Sequence, residues 1–174
     1  MHTLGEMAKA LNRPAVFLTS LQKSYELPVF AGAAFPDAYL SFLRTVVFLR
    51  MLGTSHETLL KLWNLEKKLL TLLHVDSIGS PTWFLDACGP TRKPHHRLLL
   101  SNYDMGFHLK SHAVQLGLDF SKVAPELFAG KEMGEDALRV LGQYLEIHTR
   151  IQKDIGNETL LLREATRWGR RFST

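Results

Sequence analysis

The chain has 174 residues, 45% of them hydrophobic and 10% aromatic, with a formal net charge of +4. That composition supplies a sizeable core and excludes wholesale disorder, and the length suits one domain or two small ones. No apolar run approaches the roughly 20 residues of a membrane span, and the single cysteine, Cys88, excludes an internal disulfide framework. MHTLGEMAKAL meets a glutamate within its first six residues and lacks a signal peptide's apolar centre, so a cytoplasmic protein without membrane attachment is expected.

Thr3-Leu-Gly-Glu6 has the spacing of a capping box, and Leu4, Met7, Ala8 and Leu11 follow on one helical face. Asn12 suits the left-handed residue that ends such a helix, and Pro14 suits the first turn of another. That second helix, Pro14 to about Ser24, is expected to bury Val16, Phe17 and Leu21. Two short helices across a tight turn give a helix-turn-helix. LPVFAGAAF, residues 27–35, places two apolar arms around Gly32 and reads as a small hairpin, or wing.

Pro36 and Asp37 open a helix through about Leu52 that is apolar nearly all round, hence buried. Gly53 is the residue expected just past a helix end, and Thr54-Ser-His-Glu57 reads as a second capping box. The next helix, Ser55 to about Leu73, directs Leu59, Leu62, Trp63, Leu69, Leu70 and Leu73 inward and Lys61, Glu66, Lys67 and Lys68 outward. Gly79, Ser80 and Pro81 mark a boundary. TWFLDAC (82–88) and RLLLSNY (97–103) read as a β-hairpin, with VQLGLDF (114–120) as a third strand. A long helix from about Gly134 to Ile155 carries Leu138, Leu141, Leu145, Ile151 and Ile155 on one stripe, which predicts a homodimer contact, the alternative being that the stripe folds back on the helix ending at Leu73 within one chain. The tail then gathers Arg163, Arg167, Arg170 and Arg171 against Glu164 alone, an asymmetry compatible with a polyanion.

TLGEMAK, from Thr3 to Lys9, resembles the opening of the DNA-binding domain of the MerR family of transcriptional regulators. The family's second signature is matched by Phe35, Leu40, Leu43, Arg44, Leu49, Arg50, Leu52, Gly53 and Ser55. The resemblance covers about Thr3 to Leu73. It implies an N-terminal winged helix-turn-helix at residues 1–75; the remainder, 76–174, matches no effector domain and is read from its own residues as an α+β region with a β-hairpin and a long helix. The expected fold class is therefore α+β, mainly α. The implied function is sequence-specific binding of double-stranded DNA by a homodimeric regulator that is not an enzyme.

The second helix reads AVFLTSLQK and the wing carries no charge. Contacts to DNA are accordingly expected from Lys9, Arg13, Thr19, Ser20, Gln22 and Lys23, with cations on phosphate and Gln22 on base edges. Two readings compete: a protein-interaction module that reuses the fold, and a small-ligand or metal sensor near residues 83–112. For the latter, Cys88, His95, His96, His108 and His112 lie in one region, but no CxxC or HExxH spacing links them, so no metal or cofactor is expected. Trp83, Phe84 and Tyr103 on the hairpin suggest either a packed sheet face or an apolar pocket. Asp86 and Asp104 are the only acids near it, and no catalytic motif accompanies them.

Overall fold

In the computed structural model described here, residues 1–29, 34–75, 97–103, 105 and 135–155 are placed. They form five helices: α1 (Leu4–Leu11), α2 (Ala15–Ser24), α3 (Asp37–Met51), α4 (His56–Leu72) and α5 (Glu135–Ile155). By close contact the chain divides into two compact units, Met1–Leu60 with Ile151–Thr174, and Lys61–Arg150, so the division falls inside α4. No described helix is long and apolar enough to cross a membrane.

In the first unit α1 starts as its sequence dictates. Thr3 Oγ1 accepts from the Glu6 amide at 3.2 Å, and the Glu6 carboxylate accepts from the Thr3 amide at 2.7 Å. The bond to the Thr3 backbone holds the Glu6 carboxyl below its ordinary pKa. Asn12 closes the helix at φ 49°, and the Arg13 amide donates back to the Ala8 carbonyl at 3.0 Å. α1 packs on α2 and on α3. Their shared core holds Met7, Leu11, Leu18, Leu21, Tyr39, Phe42, Leu43, Val46 and Val47.

The corner after α3 has the six-residue helix-ending pattern. The Thr54 amide donates to the Leu49 carbonyl at 3.0 Å, the Gly53 amide to Arg50 at 3.1 Å, and Gly53 sits at φ 98°. A Cβ on Gly53 would meet nothing within 4 Å, so a side chain there costs backbone conformation alone. Gly53→Ala is expected to lower stability by roughly 1–2 kcal/mol in a denaturant melt, and an unchanged midpoint would refute the account. The restart is one residue later than the spacing suggests. Ser55, not Thr54, caps α4, its Oγ accepting from the Thr58 amide at 3.1 Å. Glu57 therefore falls within the first turn of the helix, with Thr58 at the position three residues after the cap.

The expected α+β fold with a winged helix and a β-hairpin is corrected to a mainly helical one: 71% of the described residues are helical and none lies in a strand. In the region read as a wing, the chain leaves α2 through Glu26 at φ 51°, the Leu27 amide returns to the Gln22 carbonyl at 2.9 Å, and 27–29 is irregular. Residues 30–33 lie outside the described set. Phe35 instead makes an isolated antiparallel bridge to His2, with both N–H···O distances 2.7 Å. His2 Nε2 also lies 2.6 Å from Asp37 Oδ1, fastening the N-terminal residues to the start of α3.

RLLLSNY is likewise a turn and not a strand. The Asn102 amide donates to the Leu98 carbonyl at 3.1 Å, and Asn102 adopts φ 61°. The amides of Leu100 and Ser101 go to a side chain, the Glu66 carboxylate, in place of a neighbouring strand. TWFLDAC, VQLGLDF, Asp86, Asp104, the Cys88 and histidine region and the arginine tail lie outside the described residues.

The second unit is built around one face of α4 and one of α5. Leu62, Trp63, Leu69, Leu70 and Leu73 are buried as their period requires, and so is Glu66, read from the sequence as outward. On α5 the expected dimer stripe turns inward: Leu141 and Leu145 are buried within the chain, beside Ala137, Val140 and Tyr144. Those leucines are therefore not available to a second copy.

Candidate nucleic-acid interface

The turn Asn12–Pro14 joins α1 to α2, and the phase of α2 decides what faces solvent. Leu18, Leu21, Gln22 and Tyr25 recur at i, i+3, i+4 and i+7 and are all buried. Val16, expected in the core, is 80% exposed, and Phe17 is half-buried. Three consecutive apolar residues, Val16 to Leu18, left the phase open, and the aromatic anchor at Tyr25 settles it.

Of the six residues expected to contact DNA, Lys9, Thr19, Ser20 and Lys23 are exposed. Lys9 and Lys23 make no ion pair among the described residues. Thr19 donates its hydroxyl proton to the Ala15 carbonyl at 3.1 Å. Arg13 is half-buried, its guanidinium 5.9 Å from the centre of the Phe17 ring and donating to the Asn12 carbonyl at 3.0 Å. Gln22 is the exception. Its side chain is buried against the Tyr39 hydroxyl, and its Nε2 has no hydrogen-bond partner. An amide in that position reads no base edge.

The exposed α2 face thus runs Val16, Thr19, Ser20 and Lys23, with Lys9 and Arg13 on the preceding helix and turn. No carboxylate occurs on α2 itself. Cations without a local counter-charge on a small, flat helical face suit a polyanion better than an apolar or metal ligand.

The second unit holds a polar centre that the charge pattern concealed. Glu66 is wholly buried and accepts from the Leu100 amide at 3.0 Å and the Ser101 amide at 2.9 Å. Burial lifts its carboxyl to about pKa 7, against the pull of those hydrogen bonds. The Tyr144 hydroxyl accepts from the Leu99 amide at 2.9 Å, and its ring stacks on His148 at 5.6 Å. Burial, reinforced by the Glu66 charge, pushes the Tyr144 phenol well above its ordinary value. Sequence spacing contained the signal: position 66 falls on the same stripe as 59, 62, 63, 69, 70 and 73. This cluster ties a turn to two helices.

A groove of about 480 Å³ lies on the same unit beside Lys61, Lys68, Leu65, Ile147 and Arg150. Arg150 is 3.9 Å from Glu146, which offsets part of its charge. No protein-family model, curated protein or solved structure matches this chain.

Proposed function

We propose that the first unit is a DNA-binding module of the kind the MerR resemblance implies, with α2 as the helix offered to the major groove, in a transcriptional regulator. The observation that supports this reading is the exposed α2 face: small side chains flanked by Lys9, Arg13 and Lys23 and free of acids. Phosphate neutralisation supplies most of the affinity in such contacts. Three cations are few, so modest affinity and strong salt dependence are expected. A homodimer would present each cation twice on one duplex, and light scattering at twice 19.7 kDa would reveal it.

The test is a titration of fluorescent duplexes with the full chain at several salt concentrations. Lys9→Ala/Lys23→Ala should weaken binding to every sequence and reduce the salt slope by about one unit per lost contact. Gln22→Ala, at a buried position, should lower stability while leaving the salt slope and sequence preference of the folded protein as they are. An unchanged slope in the lysine variant removes α2 from the interface. Absence of salt-dependent binding to any duplex favours the protein-interaction reading, for which the exposed Val16 is the specific observation.

A further inference from the structure

Val16, Thr19, Ser20 and Lys23 stand at i, i+3, i+4 and i+7, a single solvent-facing stripe along α2. The N-terminal half of that stripe is apolar. Val16 is one of three large hydrophobic side chains standing open among the described residues, at 80% exposure. Ala15 beside it is also exposed. Thr19 has its hydroxyl proton on the Ala15 carbonyl, so its γ-methyl is the group left for an apolar contact.

The groups that ordinarily read bases by paired hydrogen bonds are occupied elsewhere. Gln22 is buried against Tyr39, and Arg13 lies over Phe17 and donates to the Asn12 carbonyl. What remains at the N-terminal end of α2, the end that meets base edges in helix-turn-helix docking, is a set of methyl groups. The four bases of a major groove offer one apolar feature to meet them, the 5-methyl of thymine.

We infer, resting on the DNA-binding reading, that Val16 with the methyls of Thr19 and Ala15 reads thymine 5-methyl groups in the major groove. Sequence preference then comes from apolar contact, while Lys9, Lys23 and Arg13 supply charge without preference. Uracil differs from thymine by that methyl alone and keeps the same hydrogen-bonding edge. Replacing one by the other therefore isolates the contact.

The experiment uses the full chain with alternating poly(dA-dT) and alternating poly(dA-dU) at matched salt. Wild type should bind the thymine polymer roughly three- to tenfold tighter, the scale of one or two methyl groups removed from water. Val16→Ala/Thr19→Ser, which keeps only the small methyls at positions 15 and 16, should show a thymine preference clearly smaller than that of wild type, with the wild-type salt slope. Both positions are exposed, and a melt of the variant verifies that it is folded. Equal wild-type affinity for the two polymers, with salt-dependent binding intact, overturns methyl readout and leaves DNA binding standing. A thymine preference undiminished in Val16→Ala/Thr19→Ser overturns the assignment to these residues. If neither polymer nor any other duplex is bound in a salt-dependent way, the DNA-binding reading itself fails and this inference falls with it.

Discussion

Glu66→Ala is expected to destabilise the protein by about 3–5 kcal/mol, read as a lower denaturant midpoint. The carboxylate is fully buried and each oxygen takes one backbone amide, from Leu100 at 3.0 Å and from Ser101 at 2.9 Å. Truncation leaves two buried N–H groups without acceptors and opens a void where the side chain stood. Glu66→Gln keeps the volume and one acceptor but turns an NH2 toward the second amide. It should cost less, roughly 1–3 kcal/mol. If both variants melt like wild type, the turn at 98–103 is not held by this side chain.

The same residue fixes the sign of a pH effect. Burial raises its pKa from 4.5 to about 7 in the folded chain, so the folded state binds the proton more tightly than the unfolded state. Its contribution to stability is fully present below about pH 4.5 and is lost as pH rises through about 7. At most about 3 kcal/mol is involved. Wild type should therefore lose stability between pH 5 and pH 8, and Glu66→Gln, which cannot titrate, should lose less over that window. Parallel pH profiles for the two proteins would assign any slope to other groups.

Much of the helical framework was legible in the sequence because its signals are local. The Thr3–Glu6 box, Asn12, Pro14 and Gly53 act within a few residues of themselves, and each marks a helix end where it was expected. The errors came from residues whose environment is set at long range. Glu66 looked like one more charge in a lysine-rich face, and its burial depends on amides 34 and 35 positions away. RLLLSNY is apolar enough for a strand, but its amides are drawn to that carboxylate. On α2 the phase rests on Tyr25, which packs on α3 and on the first turn of α4. An error there places Val16 in the core and Gln22 on the surface, the reverse of what is found. Four of the six residues expected to contact DNA are exposed, because a polar face is polar under either phase.

Tyr25 is also where the second large effect is expected. It closes α2 and is 0% exposed. Its ring meets Phe42 edge-on at 5.8 Å and 80°, and His56 at 5.6 Å and 85°. One side chain thus fastens the end of α2 to α3 and to the start of α4, and burial pushes its phenol up to about pKa 12 against the opposing charge of Arg50. Tyr25→Ala should cost about 3–5 kcal/mol, most of it from the cavity, with the two edge-on contacts contributing roughly 0.5–1.5 kcal/mol each within that total. Tyr25→Phe keeps the ring and should cost far less. A structural consequence follows: without the ring, the C-terminal end of α2 is held by Leu21 and the Leu27 segment alone, and Gln22 competes with Val16 for solvent. On the proposed DNA-binding reading, the alanine variant, held below its melting point, should lose discrimination between thymine and uracil polymers before it loses salt-dependent binding, since Lys9 and Lys23 remain exposed under either phase. A Tyr25→Ala protein with wild-type stability and wild-type discrimination would show that the orientation of α2 is set elsewhere.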